Sequence, residues 1–327
     1  MAESDQRRYP VTGFMLVGLP EHQDLRSGLS SLFLIVYILI IIGNVTVLYM
    51  VTTDKRLHVP MYFLVANLAV MDLVLTSSVF PGMLVRLILD FKIILWGNCF
   101  IQMYFVHSMS AAKMLLLTVM AYDRSVEICN PRYYLSLRRD YFFVKMAGLS
   151  WVICMACFLP PIVLTSIFPF CGRNEVYNSF CEMLSVMSLI CTDAISVKFL
   201  NLVLNVLLVL PSFVMIVCSY IKIAKSVKIA SLEQKKALLT CVGHVLVISF
   251  FFPTVVLYSA LFYVGYSPPS VRIAFAILYV TLSPLVSPII YILAVKEIRE
   301  KIVKCVKIKK VSPSVGSTVV LRAIELN

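Results

Sequence analysis

Seven apolar stretches, each long enough to cross a lipid bilayer, constrain this chain more than any other feature. A membrane-spanning helix needs about 20 mainly apolar residues. The composition agrees, because 60% of the 327 residues are hydrophobic and only 14% are charged, whereas soluble domains carry about 25% charged residues. We therefore predict an all-α membrane protein, a seven-transmembrane helix bundle over residues 29–293. The stretches occupy residues 29–52, 59–88, 97–129, 141–165, 197–226, 234–263 and 270–293.

The basic residues indicate how the bundle is oriented. In a seven-span arrangement, 20 of the 29 Lys and Arg residues fall on one side and eight on the other. The positive-inside rule places the more basic side in the cytoplasm. We expect a multi-pass plasma-membrane protein in contact with lipid, with an extracellular N-terminus 1–28 and no cleaved signal peptide. The cytoplasmic tail 294–327 is expected to contain a short amphipathic helix.

Cysteines on the predicted outer side suggest disulfide bonds, which persist in that environment. Four cysteines allow three pairings, and their spacing does not choose among them. Cys305, beside a basic amphipathic segment next to the membrane, is a candidate for palmitoylation. The four outer cysteines are Cys99, Cys171, Cys181 and Cys191.

Two ionisable residues lie deep within apolar stretches. Asp72 lies 12 residues after Pro60, and Lys113 lies 11 residues before Arg124, which places both at a similar depth, about 16–18 Å from one end of the bundle. We predict a buried salt bridge between them. It either only joins helices or changes its geometry between a resting and an active state. Serines are expected to complete its hydrogen bonds, namely Ser110, Ser283 and Ser287.

Asp123 and Arg124 are adjacent at the cytoplasmic end of the third stretch. Such an acid can hold the arginine at rest and release it to an incoming partner, as a two-state switch requires. A static ion pair at the membrane interface is the alternative. Tyr291 lies near the same surface, where it could bond Arg124 or Tyr220 in one state.

The outer half of the bundle offers a candidate binding cavity. A mainly apolar site with a few polar groups suits a small molecule. Tyr104, His107, Ser110 and Ala111 recur at spacings of three to four, so we expect them to share one helix face. His107 either orients the ligand or is a packed histidine bonded to a neighbour. Further candidates lie in the fifth to seventh stretches: Asn205, Val255, Tyr258, Ser259 and Tyr279.

The sequence carries no HExxH, GxSxG or P-loop motif, and its four histidines are scattered. We therefore predict neither enzymatic activity nor a cofactor or metal, and the dispersed positive charge does not predict nucleic-acid binding. Matched broken helices in a two-fold repeat, which mark many transporters, are also missing. A transporter or channel that conducts through Asp72 and Lys113 remains an alternative. The Asn44-Val45-Thr46 glycosylation motif lies within the first stretch, so we expect it to be unmodified.

Five motifs, in order, resemble those of the vertebrate olfactory receptors, a branch of the rhodopsin-like G-protein-coupled receptors. The resemblance covers residues 10–305, approximately. It implies binding of a small-molecule odorant and activation of a heterotrimeric G protein of the olfactory stimulatory type. A non-olfactory chemosensory receptor on the same fold is the alternative. The motifs are LHVPMY at 57–62, MAYDRSVEIC at 120–129, SY at 219–220, KALLTC at 236–241 with His244, and PLVSPIIY at 284–291.

The resemblance implies roles for individual residues. Cys99 and Cys181 match the family's disulfide bridge from the third helix to the second outer loop. Cys171 and Cys191 match a further pair of cysteines that is particular to the family. Helix-packing positions are matched by Asn44, Asp72, Trp151 and Pro288. The G-protein-facing switch is matched by Asp123, Arg124, Tyr220, His244 and Tyr291.

Several residues depart from the family pattern. Lys113 replaces the usual Glu, which with Asp72 would make an anionic site suited to a cation, so we predict that sodium is not needed here. Other departures affect expected coupling: Ser125 for Tyr, Glu127 for Ala, Ser287 for Asn and Phe252 for Tyr. Features that resemble the class I, fish-like branch, whose ligands tend to be water-soluble, are Pro253, residues 102–107 and Cys129-Asn130-Pro131.

Overall fold

The computed structural model describes residues 12–18, 23–227, 232–264 and 268–294. These residues form nine helices and three short strands, and a 3-10 turn, Lys55–Leu57, joins the first two helices. In chain order the elements are β1 (Gly13–Leu16), α1 (Gln23–Thr53), α2 (Pro60–Leu89), β2 (Ile93–Leu95), α3 (Trp96–Cys129), α4 (Pro131–Arg139), α5 (Phe142–Ile167), β3 (Glu175–Val176), α6 (Met183–Met187), α7 (Ile195–Val227), α8 (Leu232–Val264) and α9 (Pro269–Ala294).

Seven of the described helices, α1, α2, α3, α5, α7, α8 and α9, are long and apolar enough to span a membrane. They confirm the seven predicted spans, and six of them begin and end within two residues of the prediction. Helix α1 begins at Gln23, six residues before the predicted start of the first span. Arg26, in its first turn, forms an ion pair with Asp90, the residue that follows α2. The predicted amphipathic helix and Cys305 lie outside the described residues.

Helix α3 lies at the centre of the bundle. It contacts α2, α5, α7 and α8 and is the most buried of the seven long helices. Helices α1 and α7 instead expose apolar side chains such as Ile42 and Leu207. Such outer faces suit contact with lipid tails, which are as apolar as leucine.

A close contact between α1 and α9 explains why Asn44 lies inside the bundle. Pro288 has no N–H, so within α9 it leaves the carbonyl of Pro284 without its usual donor four residues later. The Asn44 Nδ2 group donates to that carbonyl at 3.1 Å and to the Ile40 carbonyl at 2.9 Å. Gly43 makes the approach possible, because a Cβ there would lie 2.9 Å from Pro288 Cγ.

One end of the bundle carries a small three-stranded sheet in the order β2-β1-β3, which the sequence did not predict. Strand β1 pairs antiparallel with β2 and parallel with β3. Gly13 permits the close approach, because a Cβ there would lie 2.7 Å from the Ile94 carbonyl oxygen. Phe14 and Leu16 turn inward and are fully buried. We call this end of the molecule the sheet end.

Two disulfide bonds fasten the sheet end. Cys99, in the first turn of α3, is bonded to Cys181, which lies just before α6. Cys171 is bonded to Cys191 across the same loop. These are the bridges that the family resemblance implies. They hold the α5–α7 loop against the centre of the bundle.

Candidate functional site

The central polar feature is an ion pair between Asp72 of α2 and Lys113 of α3, as the sequence predicts. Both side chains are fully buried. The Lys113 ammonium group also lies 5.3 Å from the centre of the Phe251 ring of α8, a distance at which the ring face attracts a cation. The pair therefore joins α2 to α3 and approaches α8 in the middle of the bundle.

The serines expected to complete this ion pair do not bond to it. Ser287 donates to the Ser283 carbonyl at 2.7 Å, one helical turn back within α9. Ser110 Oγ and Asp72 Oδ2 have no hydrogen-bond partner among the described residues. That expectation was wrong, and for Ser287 the reason is that a serine inside a helix readily bonds its own backbone four residues earlier.

A cluster of charges lies at the end of α3 opposite the sheet. Arg124 Nε donates to Asp123 Oδ2 at 2.9 Å, and the same guanidinium forms a second ion pair with Glu127. Burial, together with the charges of Asp123 and Glu127, raises the pKa of Tyr134 in α4. The arginine is thus held on two sides.

The remaining predicted switch residues lie close by on other helices. Tyr220 of α7 is joined to His244 of α8 by a hydrogen bond of 2.6 Å between the hydroxyl and Nδ1. Tyr291 of α9 is almost fully buried, and its hydroxyl has no hydrogen-bond partner among the described residues. In this conformation it therefore bonds neither Arg124 nor Tyr220.

Six of the nine predicted ligand-binding residues line one cavity in the half of the bundle nearer the sheet end. Its volume is about 30 Å³. Apolar side chains from α3, α5 and α7 complete the wall, and the sequence analysis did not select them: Met114, Phe158, Leu208 and Val209. The six predicted residues are His107, Ser110, Ala111, Asn205, Val255 and Tyr279.

The other three predicted residues lie outside this wall. The Tyr104 hydroxyl donates to the Met155 carbonyl of α5 at 3.1 Å, so the ring packs between helices. Tyr258 lies behind the cavity, where its ring is parallel to that of Tyr279 with centroids 5.4 Å apart. Ser259 is half-buried and does not line the cavity. Tyr104 points away from the cavity because residues three apart on a helix differ in direction by about 60°.

Glu182 was missed by the sequence analysis and lies above His107. Its two carboxylate oxygens accept hydrogen bonds from the backbone N–H groups of Leu184 and Ser185, at 3.0 and 2.8 Å. It is fully buried, and burial raises its pKa although these N–H groups partly oppose the rise. His107 Nε2 lies 3.9 Å from its Oε1 atom and accepts a long hydrogen bond from Met183 N at 3.4 Å.

The position of Glu182 had two signals in the sequence. It directly follows Cys181, which the resemblance assigns to a bridge with α3, and it precedes a short apolar segment. An acidic residue before a helix favours capping of its free N–H groups. Together these features would have predicted a carboxylate that caps the segment next to the bridge to α3.

The fold and these clusters define a class of protein, a seven-helix multi-pass membrane protein with a cavity at one end and an ion-paired arginine at the other. The family model described as "Olfactory receptor" matches residues 33–309. The chain belongs to the olfactory receptor family. It is an odorant-sensing G-protein-coupled receptor and not an enzyme.

Similar proteins support this membership over most of the chain. Human olfactory receptor 6N1 is 35% identical over 294 residues, which is 89% of this chain and 94% of that protein. Human olfactory receptor 4Q2 is 36% identical over 89% of this chain and 92% of that protein. Mouse olfactory receptor 1M1 is 33% identical over 94% of this chain and 99% of that protein.

Proposed function

We propose that the odorant binds in the cavity beside His107 and that the sheet end faces the outside of the cell. The single observation that carries the proposal is that six independently selected residues surround one cavity. The excess of Lys and Arg in the other loops and the tail supports this orientation. Both disulfides also lie at the sheet end, where an oxidising environment preserves them.

The cavity must widen to admit a ligand. Binding sites for small molecules usually enclose about 300–1,000 Å³, whereas this one holds about 30 Å³. An agonist that fits only the widened cavity shifts the population toward that conformation. The mixed wall, with Ser110, Asn205 and Tyr279 among apolar side chains, suits a mainly apolar odorant that carries one or two polar groups.

At the opposite end, we propose that activation releases Arg124 to a G protein of the olfactory stimulatory type. Its pairing with Asp123 and Glu127 describes a resting arrangement. The Tyr220–His244 hydrogen bond joins α7 to α8 in the same region. Movement of these helices would separate this contact and open a surface for the G protein.

A cyclic AMP assay tests the whole proposal. Cells that express the receptor with the olfactory G protein should respond to at least one odorant in a broad panel. Arg124→Ala should abolish that response at an unchanged surface level. His107→Phe should shift the ligand concentration required while leaving the maximal coupling intact.

Two results would contradict the proposal. One is the absence of any response to the panel at a normal surface level. The other is ligand-dependent uptake or current in proteoliposomes that lack G protein, which would favour a transporter or channel through Asp72 and Lys113.

A further inference from the structure

A groove on the described part of the chain is separate from the cavity beside His107. It has a volume of about 900 Å³ and lies at the end opposite the sheet. The last turns of α1, the first half of α2, the end of α4 and the start of α5 form its walls. None of the predicted ligand-binding or switch residues lines it.

The walls of the groove are mainly apolar and follow one leaflet of the bilayer. The residues of α2 that line it extend from Pro60 to Val70, a distance of about 15 Å along the helix. That is half of the hydrocarbon thickness of about 30 Å. Phe63, Leu135 and Val144 line the groove with exposed apolar side chains. These dimensions and this surface suit acyl chains.

The rim of the groove is basic. Arg138 and Arg139, at the end of α4, line it, and both are exposed. Neither arginine forms an ion pair among the described residues, and neither does Asp140, the carboxylate that follows Arg139 in the chain. Glu127, whose charge acts on Arg138, is paired with Arg124, and Asp54 is paired with Arg56.

We propose that this groove binds an anionic glycerophospholipid, with its acyl chains along the walls and its phosphate between Arg138 and Arg139. Basic pockets between helices on the cytoplasmic side of a membrane attract anionic headgroups. Arginine presents a fork of donors that matches two phosphate oxygens. The proposal rests on the proposed orientation, which places α4 at the headgroups of the anionic leaflet, but it does not depend on odorant binding.

Binding of phospholipid analogues to the full-length purified receptor tests this proposal. Fluorescent phosphatidylserine and phosphatidylcholine with identical acyl chains are titrated in detergent micelles. We expect phosphatidylserine to bind more tightly, and Arg138→Gln with Arg139→Gln to weaken its binding by about tenfold or more. High salt should weaken it in the same direction, because salt screens exposed charges.

A matched control separates the groove from general surface charge. Arg132→Gln with Lys145→Gln removes the same charge from the same end of the molecule, at residues that do not line the groove. This control should retain the binding. Val70→Trp, which fills the groove from an exposed position, should weaken both lipids without changing the charge. Thermal unfolding of each variant verifies that it is folded.

Several outcomes would overturn the proposal. They are equal affinity for the two phospholipids, an equal loss in the control pair, or preferential binding of a sterol that the arginine substitutions leave unchanged. Arg124→Ala separates the lipid proposal from the proposed signalling function, because this variant should lose signalling and keep lipid binding. A receptor that signals normally but does not discriminate between the phospholipids would refute the lipid site alone.

Discussion

Arg124 forms ion pairs with two carboxylates of its own helix, Asp123 one residue before it and Glu127 three residues after it. Glu127 stands where the family pattern has Ala, so the second contact is an addition to the expected one. In the switch proposed above, the release of Arg124 must break this second contact as well as the first.

We expect Glu127→Ala to raise the basal activity of the receptor. The Glu127 side chain is about one-third exposed, so its pair with Arg124 is worth no more than about 1 kcal/mol, equivalent to a change of about fivefold in the ratio of active to resting receptor. Cyclic AMP without odorant, divided by surface receptor, measures the effect. Asp140→Ala is the control, because that carboxylate forms no ion pair with Arg124. Unchanged basal activity in Glu127→Ala would refute the role of the second contact.

The Asp72–Lys113 pair predicts an asymmetry between single and double substitutions. Lys113→Met leaves a buried carboxylate without its cation and should destabilise the receptor by about 3–5 kcal/mol. Asp72→Leu combined with Lys113→Met removes both charges and should recover most of that loss. Thermal unfolding of the purified variants gives the comparison. If the double variant is as unstable as the single one, the charges are not each other's main partner.

Sodium should have little effect on the stability of this receptor. The Lys113 ammonium already neutralises Asp72, and the gap bounded by Asp72, Ser287 and Tyr291 has essentially no volume for a water-sized guest. Replacing sodium chloride with choline chloride should therefore leave the melting temperature unchanged. Lys113→Glu restores two acids and should make the melting temperature depend on sodium. A sodium-dependent shift in the unmodified receptor would contradict this prediction.

The buried Glu182 predicts a pH dependence of stability. Its pKa in the folded receptor is raised above the ordinary value of 4.5, so the folded state binds the proton more tightly than the unfolded state does. Its contribution is fully present below pH 4.5 and is lost as the pH rises through the raised value.

Glu182→Gln, which cannot titrate, isolates this contribution. The melting temperature of the unmodified receptor, measured relative to this variant, should fall as the pH rises from about 4.5 to neutrality. His107 and Tyr258 face the same carboxylate and are retained in both proteins. A difference that stays constant or increases with pH would show that the carboxylate is ionised throughout.

The spans could be predicted from the sequence because a bilayer demands long apolar helices whose backbone polar groups are satisfied internally. The depth of Asp72 and Lys113 followed from the same fixed rise per residue. The sheet could not be predicted, because strands of two to four residues are too short to show an alternation of apolar and polar residues. They also pair with segments that are far away in the chain. Gly13 faces Leu95, and Met15 faces Glu175, only after the loops have closed.

The candidate site was predicted in part for a related reason. Helical spacing correctly grouped His107, Ser110 and Ala111 around the cavity. It misplaced Tyr104, because spacing along one helix does not specify which neighbouring helix each side of the face will contact. Glu182 lies in a loop whose course is set by the disulfides, so no periodic pattern indicates where its carboxylate points.

The Asn44 amide illustrates how packing can overrule a modification signal. A sugar is transferred to the side-chain nitrogen of asparagine, yet in this receptor that nitrogen bonds to the carbonyls of Ile40 and Pro284 inside the helix bundle. Once α1 has packed against α9, no transferase can reach the atom. The amide nitrogen that the motif would offer to a sugar instead closes the seam between the first and last membrane helices.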